Sequence, residues 1–332
     1  MLYDAILIDT FNLYYKKRKA HATPISMAND MIDFIEVELA PKLSDKSSIG
    51  KIFLLFDPLP ENDGNVTKTF KYYAPERKSV RKQILRKYKG TRIEDKNAID
   101  TIHLVKMFYA FRGKKYVTVI SPDFEADDFA ESIVKSFEGK NILMFSSDMD
   151  WARYISDKVL LCTGNPRETF GKEDYCEKFG FIPSMKTVVI QKALFGDPSD
   201  NIASSIVPEK AKYCLPCTDI AQKYLEEISK SGESLDDVIK RISKFTFRFL
   251  FAQKKRTNEE ELFYRMICNE DENMIRNFLT NVQLIRSRCK AYTPYSSCND
   301  FNKAFCRGID TTLGRAGNEK KKPFKFGGVR LA

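Results

Sequence analysis

Short apolar runs recur through the first half of the chain, each bounded by polar or turn-forming residues. They are DAILID (4–9), KIFLLF (51–56), YVTVI (116–120), NILMF (141–145) and KVLLC (158–162). The runs are continuous rather than alternating, which predicts strands buried on both faces, the habit of parallel sheets. Between them apolar residues return at helical spacing. Met31, Ile32, Ile35 and Leu39 predict a crossover helix over 27–43, ending near Pro41. A second amphipathic helix is expected over 98–111, and a third carries Phe129, Ile133, Val134 and Phe137 on its apolar face. Strand and helix in alternation predict an α/β fold, a parallel doubly wound sheet with helices on both faces. From about residue 171 the pattern turns helical, with helices expected over 185–195, 211–217, 220–229, 235–251, 259–267 and 272–284. Beyond about residue 296 the chain is irregular, basic and poor in apolar residues, so a flexible tail is expected. There is no internal repeat.

The polar residues at the strand ends change this picture. The first two runs finish on Asp9 and Asp57. The third leads into Glu125, Asp127 and Asp128, and the fourth into Asp148 and Asp150 in SSDMD. All carboxyl ends of a parallel sheet face one edge, where open α/β folds place their sites. Carboxylates crowded together raise each other's pKa, and hard divalent cations such as Mg²⁺ or Mn²⁺ relieve that repulsion. GDPSDN (196–201) adds Asp197 and Asp200, either as a further metal-facing pair or as a turn with a helix N-cap. The alternative for the two central groups is a pair of solvated acidic loops.

Charge sharpens the choice. The 332 residues carry a net charge of +10. A basic protein with dense acidic clusters suits a polyanion held by Lys and Arg and cut by metal. Eleven Lys and Arg between Lys68 and Lys96 face only Glu76, Glu94 and Asp95, with Tyr72, Tyr73 and Tyr88 interleaved. This segment, about 66–100, reads as a projecting insertion whose cations meet phosphates and whose tyrosines stack on bases; the alternative is a charged surface helix. No GxGxxG or GxxxxGK[ST] is present, which removes the main support for nucleotide-cofactor classes. No apolar run spans a bilayer and no export signal precedes the first strand, so a cytoplasmic protein (the host's cytoplasm if viral) with eight reduced cysteines is expected. Two histidines, His21 and His103, leave little for histidine-based catalysis.

Taken in order, LIDTFNL, LLFDP, the basic YKGTR (88–92), EADD, SSDMDW and GDPSDN resemble the flap endonuclease and 5′-3′ exonuclease family. The pattern is most similar to its small phage members and to the N-terminal exonuclease domain of bacterial DNA polymerase I. The resemblance implies a PIN-like parallel twisted sheet with a helical arch and a C-terminal helix-hairpin-helix-like region. The implied division is a nuclease domain over 1–170, with the arch at about 66–100, a helical DNA-binding region over 171–295, and the basic tail over 296–332. Asp9, Asp57, Glu125, Asp127 and Asp128 would surround one metal, and Asp148, Asp150, Asp197 and Asp200 the second side. Lys89 and Arg92 would reach the scissile phosphate from the arch. Arg81 and Arg86 would contact phosphates, as would Lys210 and Lys212, and Tyr88 would stack on a base.

The implied activity is a metal-dependent, structure-specific 5′ nuclease with two or more Mg²⁺ ions, Mn²⁺ substituting. Two ions about 3.5–4 Å apart suit in-line phosphodiester hydrolysis. Branched DNA or an RNA–DNA hybrid with a 5′ single strand would be the substrate, the chain acting as a monomer without a membrane. The tail is read as a contact for a sliding clamp or single-strand-binding protein, or for DNA itself. Two departures stand out. The family follows its first aspartate with Gly, whereas Thr10 stands here, and its glycine-rich hairpin is replaced by IASSIVPEKAK (202–212), which has no glycine. Rival readings are a PIN-domain ribonuclease acting on RNA and a catalytically inactive nucleic-acid-binding relative.

Overall fold

In the computed structural model the described residues are 2–44, 50–57, 95–110, 112, 115–120, 125–197, 200–206, 215–245 and 258–286, with the backbone of 325–326 and 329–330. Residues 1–294 form one compact unit and 295–332 a second. The second unit contains a short antiparallel pairing of Lys325–Phe326 with Val329–Arg330.

The first unit is built on a five-stranded, wholly parallel sheet: β1 (Ala5–Asp9), β2 (Lys51–Phe56), β3 (Tyr116–Ile120), β4 (Ile142–Phe145) and β5 (Val159–Cys162), in the order β3-β2-β1-β4-β5. The chain winds outward from β1 to β3, then crosses back to the other side of β1. The topology therefore reverses between β1 and β4, and a crevice opens at such a point. The expected strands are all present, shortened by a residue at β1, β4 and β5. Fully buried Ile6, Ile8, Ile52, Leu54, Leu143 and Phe145 line one face. Against that face pack α1 (Thr10–Lys17), α2 (Pro24–Asp33) and α3 (Lys96–Ala110). The opposite face carries α4 (Ala126–Ser136), where the rings of Phe53 and Phe137 meet edge to face at 5.7 Å. With apolar cover on both faces, a continuous apolar run costs nothing in exposed surface.

The helix expected over 27–43 is interrupted. After α2 the chain runs through a π-helical turn, Phe34–Leu39, and a 3₁₀ turn, Ala40–Lys42. The wider turn brings Glu36 to the hydroxyls of Tyr109 (3.0 Å) and Tyr116 (2.7 Å), and Pro41 ends helical bonding.

Among the described residues five helices follow β5: α5 (Lys172–Phe179), α6 (Met185–Phe195), α7 (Leu215–Lys230), α8 (Leu235–Phe245) and α9 (Asn258–Ile285). The two helices expected over 259–267 and 272–284 are one, because no Gly or Pro interrupts 258–285. The segments expected over 211–217 and 220–229 likewise join from Leu215 onward. No described helix is long and apolar enough to cross a membrane.

Candidate metal centre

Four strands deliver an acid to the same edge of the sheet. Asp9 ends β1, Asp57 follows β2, Glu125 opens the helix after β3, and Asp148 follows β4. Asp9 sits at the reversal point and is held by two hydrogen bonds, one from α1 and one from the segment after β4. Its Oδ1 accepts the Asn12 amide at 3.0 Å, capping α1, and its Oδ2 accepts the Ser146 hydroxyl at 3.1 Å. Burial, then the charge of Asp57, and more weakly that of Asp148, push its carboxyl up to about 7 against these hydrogen bonds. The response to Asp57 and Asp148 places all three carboxylates within electrostatic reach of one another.

Asp57 accepts the Ala126 amide through Oδ1 at 2.9 Å, which ties the end of β2 to the first turn of α4. The positive end of a helix favours a carboxylate there. Within that turn the Glu125 amide donates to Asp128 Oδ2 at 3.0 Å, and both side chains are buried. Asp127 pairs with Arg153, whose guanidinium donates to Asp127 Oδ2 at 2.7 Å. The Asp127 carboxylate thus has a cationic partner before any metal is considered.

The second group is organised by a lysine. Asp148 caps a 3₁₀ turn, Met149–Tyr154, by accepting the Asp150 amide at 2.9 Å. Fully buried Trp151 anchors this turn. Asp197 and Asp200 lie in the turn after α6, closed by reciprocal bonds between Asp197 and Ile202 of 2.8 and 2.9 Å. Gly196 enters the turn at φ +77°, and a Cβ there would lie 2.5 Å from the Ile202 carbonyl, so only glycine fits. Lys192 on α6 reaches into the group. Its ammonium lies 2.7 Å from Asp197 and 3.9 Å from Asp148, and it is ion-paired with Asp150.

Among the described residues no three acidic, histidine or cysteine side chains close into a finished metal cage. The donor chemistry nonetheless fits a divalent cation. A buried carboxylate, Asp9, whose pKa its acidic neighbours raise on one side, and acids gathered round an ammonium on the other, are hard oxygen donors short of positive charge. Glu125, Asp57, Asp9 and Asp148 come to the sheet edge, with Asp150 and Asp197 beside Lys192 and Asp200 in the same turn as Asp197. Lys89, Arg92, Arg81, Arg86, Tyr88, Lys210 and Lys212 lie outside the described residues. Sequence reasoning missed Lys192, Arg153 and Ser146. Only Lys192 had a local signal, five residues before Asp197 on the helix entering the acidic turn.

Thr10, the departure after the first aspartate, has a structural role. Its side chain is fully buried and its hydroxyl donates to the Leu55 carbonyl at 2.8 Å, joining the start of α1 to the end of β2.

A sequence model described as the 5′-3′ exonuclease N-terminal resolvase-like domain matches residues 4–180, and the chain belongs to this family. A 5′-3′ exonuclease of Aquifex aeolicus (strain VF5) is 27% identical over 148 residues, 44% of this chain and 45% of that protein. The chain therefore matches under half the length of that relative. Among solved structures, a bacteriophage T5 flap endonuclease in a pseudo-enzyme-product complex with DNA and metal ions superposes with a TM-score of 0.55 at 16% identity. That match covers 93% of this chain and 99% of the phage chain. A zinc-bound T5 5′-exonuclease gives 0.54 at 18% identity, with the same coverage. At these identities the likeness is one of fold: a PIN-like parallel sheet with helices.

Proposed function

We propose that this chain is a divalent-metal-dependent 5′ nuclease that hydrolyses phosphodiester bonds in branched DNA, or in RNA–DNA hybrids, bearing a 5′ single strand. The observation that carries the proposal is the delivery of Asp9, Asp57, Glu125 and Asp148 to one sheet edge, where Asp9 feels the charge of both Asp57 and Asp148. Family membership, and a structural neighbour described with DNA and metal ions, support the same reading.

Asp9, Asp57, Glu125, Asp127 and Asp128 would hold one ion, with Asp127 also paired to Arg153. Asp148, Asp150, Asp197 and Asp200 would hold the other. Two Mg²⁺ ions held by these acids would supply an activated water and would neutralise charge on the phosphoryl and leaving oxygens. The protein's own part is placement. Backbone amides at Asn12, Ala126 and Asp150 fix three carboxylates, and buried Thr10 and Trp151 fix the segments that carry them. Lys89 and Arg92 add cationic donors where charge develops on the phosphate, worth about 2–4 kcal/mol each. Phosphate contacts from Arg81, Arg86, Lys210 and Lys212, with stacking on Tyr88, would select the substrate by shape rather than by base. The basic tail is proposed to bind DNA or a clamp or single-strand-binding partner, and the enzyme to act in the cytoplasm as a monomer.

The test compares a 5′-flap DNA, an RNA–DNA hybrid and a single-stranded RNA, each 5′-labelled, with Mg²⁺. Cleavage of flap and hybrid with the RNA intact supports the proposal. Cleavage of single-stranded RNA alone would replace it with the ribonuclease reading.

A further inference from the structure

Helix α9 ends against both acidic groups at once. Asn281, buried in its last turns, donates through Nδ2 to the Ala193 carbonyl at 3.0 Å and to the Ala203 carbonyl at 2.8 Å. Those carbonyls flank the turn that bears Asp197 and Asp200. Ala193 is in the last turn of α6, and Ala203 follows the Asp197–Ile202 closure. Ser205 adds its hydroxyl to the Ala193 carbonyl at 2.8 Å, so the base of the acidic turn is held from two directions. One helical turn beyond Asn281, the Ile285 carbonyl accepts from Arg153 Nη1 at 2.6 Å. The same guanidinium donates through Nη2 to Asp127, and the Arg153 side chain is fully buried. Tyr154 adds its hydroxyl to the Asp127 carbonyl oxygen at 3.2 Å.

A helix places residues four apart on one face. Positions 281 and 285 thus form a single contact surface, one end on the turn of the second acidic group and the other, through Arg153, on the acidic turn of the first. We infer that the last turn of α9 is a brace that sets the spacing of the two acidic groups, with Asn281 and Arg153 as its positioning residues. Neither side chain touches substrate; each acts through the acids that it orients. Hydrogen-bond partners behind metal ligands govern affinity because they fix the angle at which a ligand is presented. The brace also joins the helical region to the sheet edge, so a shift at the end of α9 would be felt by Asp127 and by the Asp197–Asp200 turn together. This inference rests on the reading of the acids as metal ligands.

The test is Mn²⁺ binding by the full chain, followed as free Mn²⁺ by electron paramagnetic resonance, with the second-group site assigned through Asp200→Asn. Asn281→Leu removes both donors at similar volume and is expected to weaken second-group binding by about tenfold or more while leaving the first group within about twofold. Arg153→Lys keeps the charge but cannot span both acceptors, and is expected to weaken the first group instead by about tenfold. Val105→Ala, in α3 on the far face of the sheet, is the control: it lowers the melting temperature without moving either affinity. Should Asn281→Leu fail to fold, Asn281→Ser together with Arg153→Lys carries the test. Unchanged Mn²⁺ affinities in folded variants of a wild type that binds Mn²⁺ would overturn the brace alone. A wild type that binds no Mn²⁺ would overturn both the brace and the metal reading beneath it.

Discussion

Lys192 Nζ lies 2.7 Å from Asp197 Oδ2 and is also paired with Asp150, so one ammonium on α6 joins acids from two separate segments. The lysine occupies the place that the charge of the second group demands. Removing it from the metal-free protein leaves Asp148, Asp150 and Asp197 to repel one another. Lys192→Met is expected to destabilise the metal-free protein by on the order of 3 kcal/mol. Mn²⁺ should recover more stability in the variant than it adds to the wild type. Thermal melts in EDTA and in Mn²⁺ check both statements; equal melting temperatures for the two proteins in EDTA would count against them.

Asp9 gives the metal-free protein a distinct pH dependence. Its carboxyl titrates near 3.8 when unfolded and is pushed up to about 7 when folded. Between those values the folded state holds the extra proton, so stability from this group is full at low pH and is lost as pH rises through about 7. Urea midpoints in EDTA should therefore fall from pH 5 to pH 7.5, with a smaller fall in Asp9→Asn. Bound cation favours the ionised carboxylate, so Mn²⁺ should flatten or reverse the trend. A midpoint that rises with pH in EDTA, and loses that rise in Asp9→Asn, would show the opposite sign.

Two of the acids should behave differently. Asp148→Asn is expected to abolish cleavage and spare substrate binding, since Asp148 stands at the sheet edge as a proposed ligand. Asp127→Asn leaves a buried guanidinium without its carboxylate and should cost about 3 kcal/mol in stability. Cleavage rates beside chemical denaturation separate the two effects. Full activity in Asp148→Asn would remove the second acidic group from the mechanism.

Thr10 replaces the family's glycine and contributes a bond. Thr10→Val keeps the shape, leaves the Leu55 carbonyl without that donor, and should cost about 1 kcal/mol. A melting temperature unchanged by Thr10→Val would mean that the hydroxyl is not needed where it lies.

Much of this architecture could be read directly from the chain. The five strands are legible because burial on both faces makes each a continuous apolar run. Asp9, Asp57 and Asp148 are legible because each closes such a run. The residues that hold these acids are not. Arg153 answers to Ile285, and Asn281 to Ala193 and Ala203, so their partners are far away in sequence and leave no local spacing. Asp127 belongs to the EADD motif as fully as Asp128, yet only the fold shows that it faces a guanidinium. Helix α9 was expected in two pieces because the polar stretch at 269–273 hides a helix that contains nothing to break it.

The most direct measurement is cleavage of a single 5′-labelled flap duplex by the wild-type chain, in Mg²⁺ and then in EDTA. Short 5′ products that appear with Mg²⁺, vanish in EDTA and are absent with Asp148→Asn are the predicted result. Products that persist in EDTA, or an intact flap under both conditions, would contradict it.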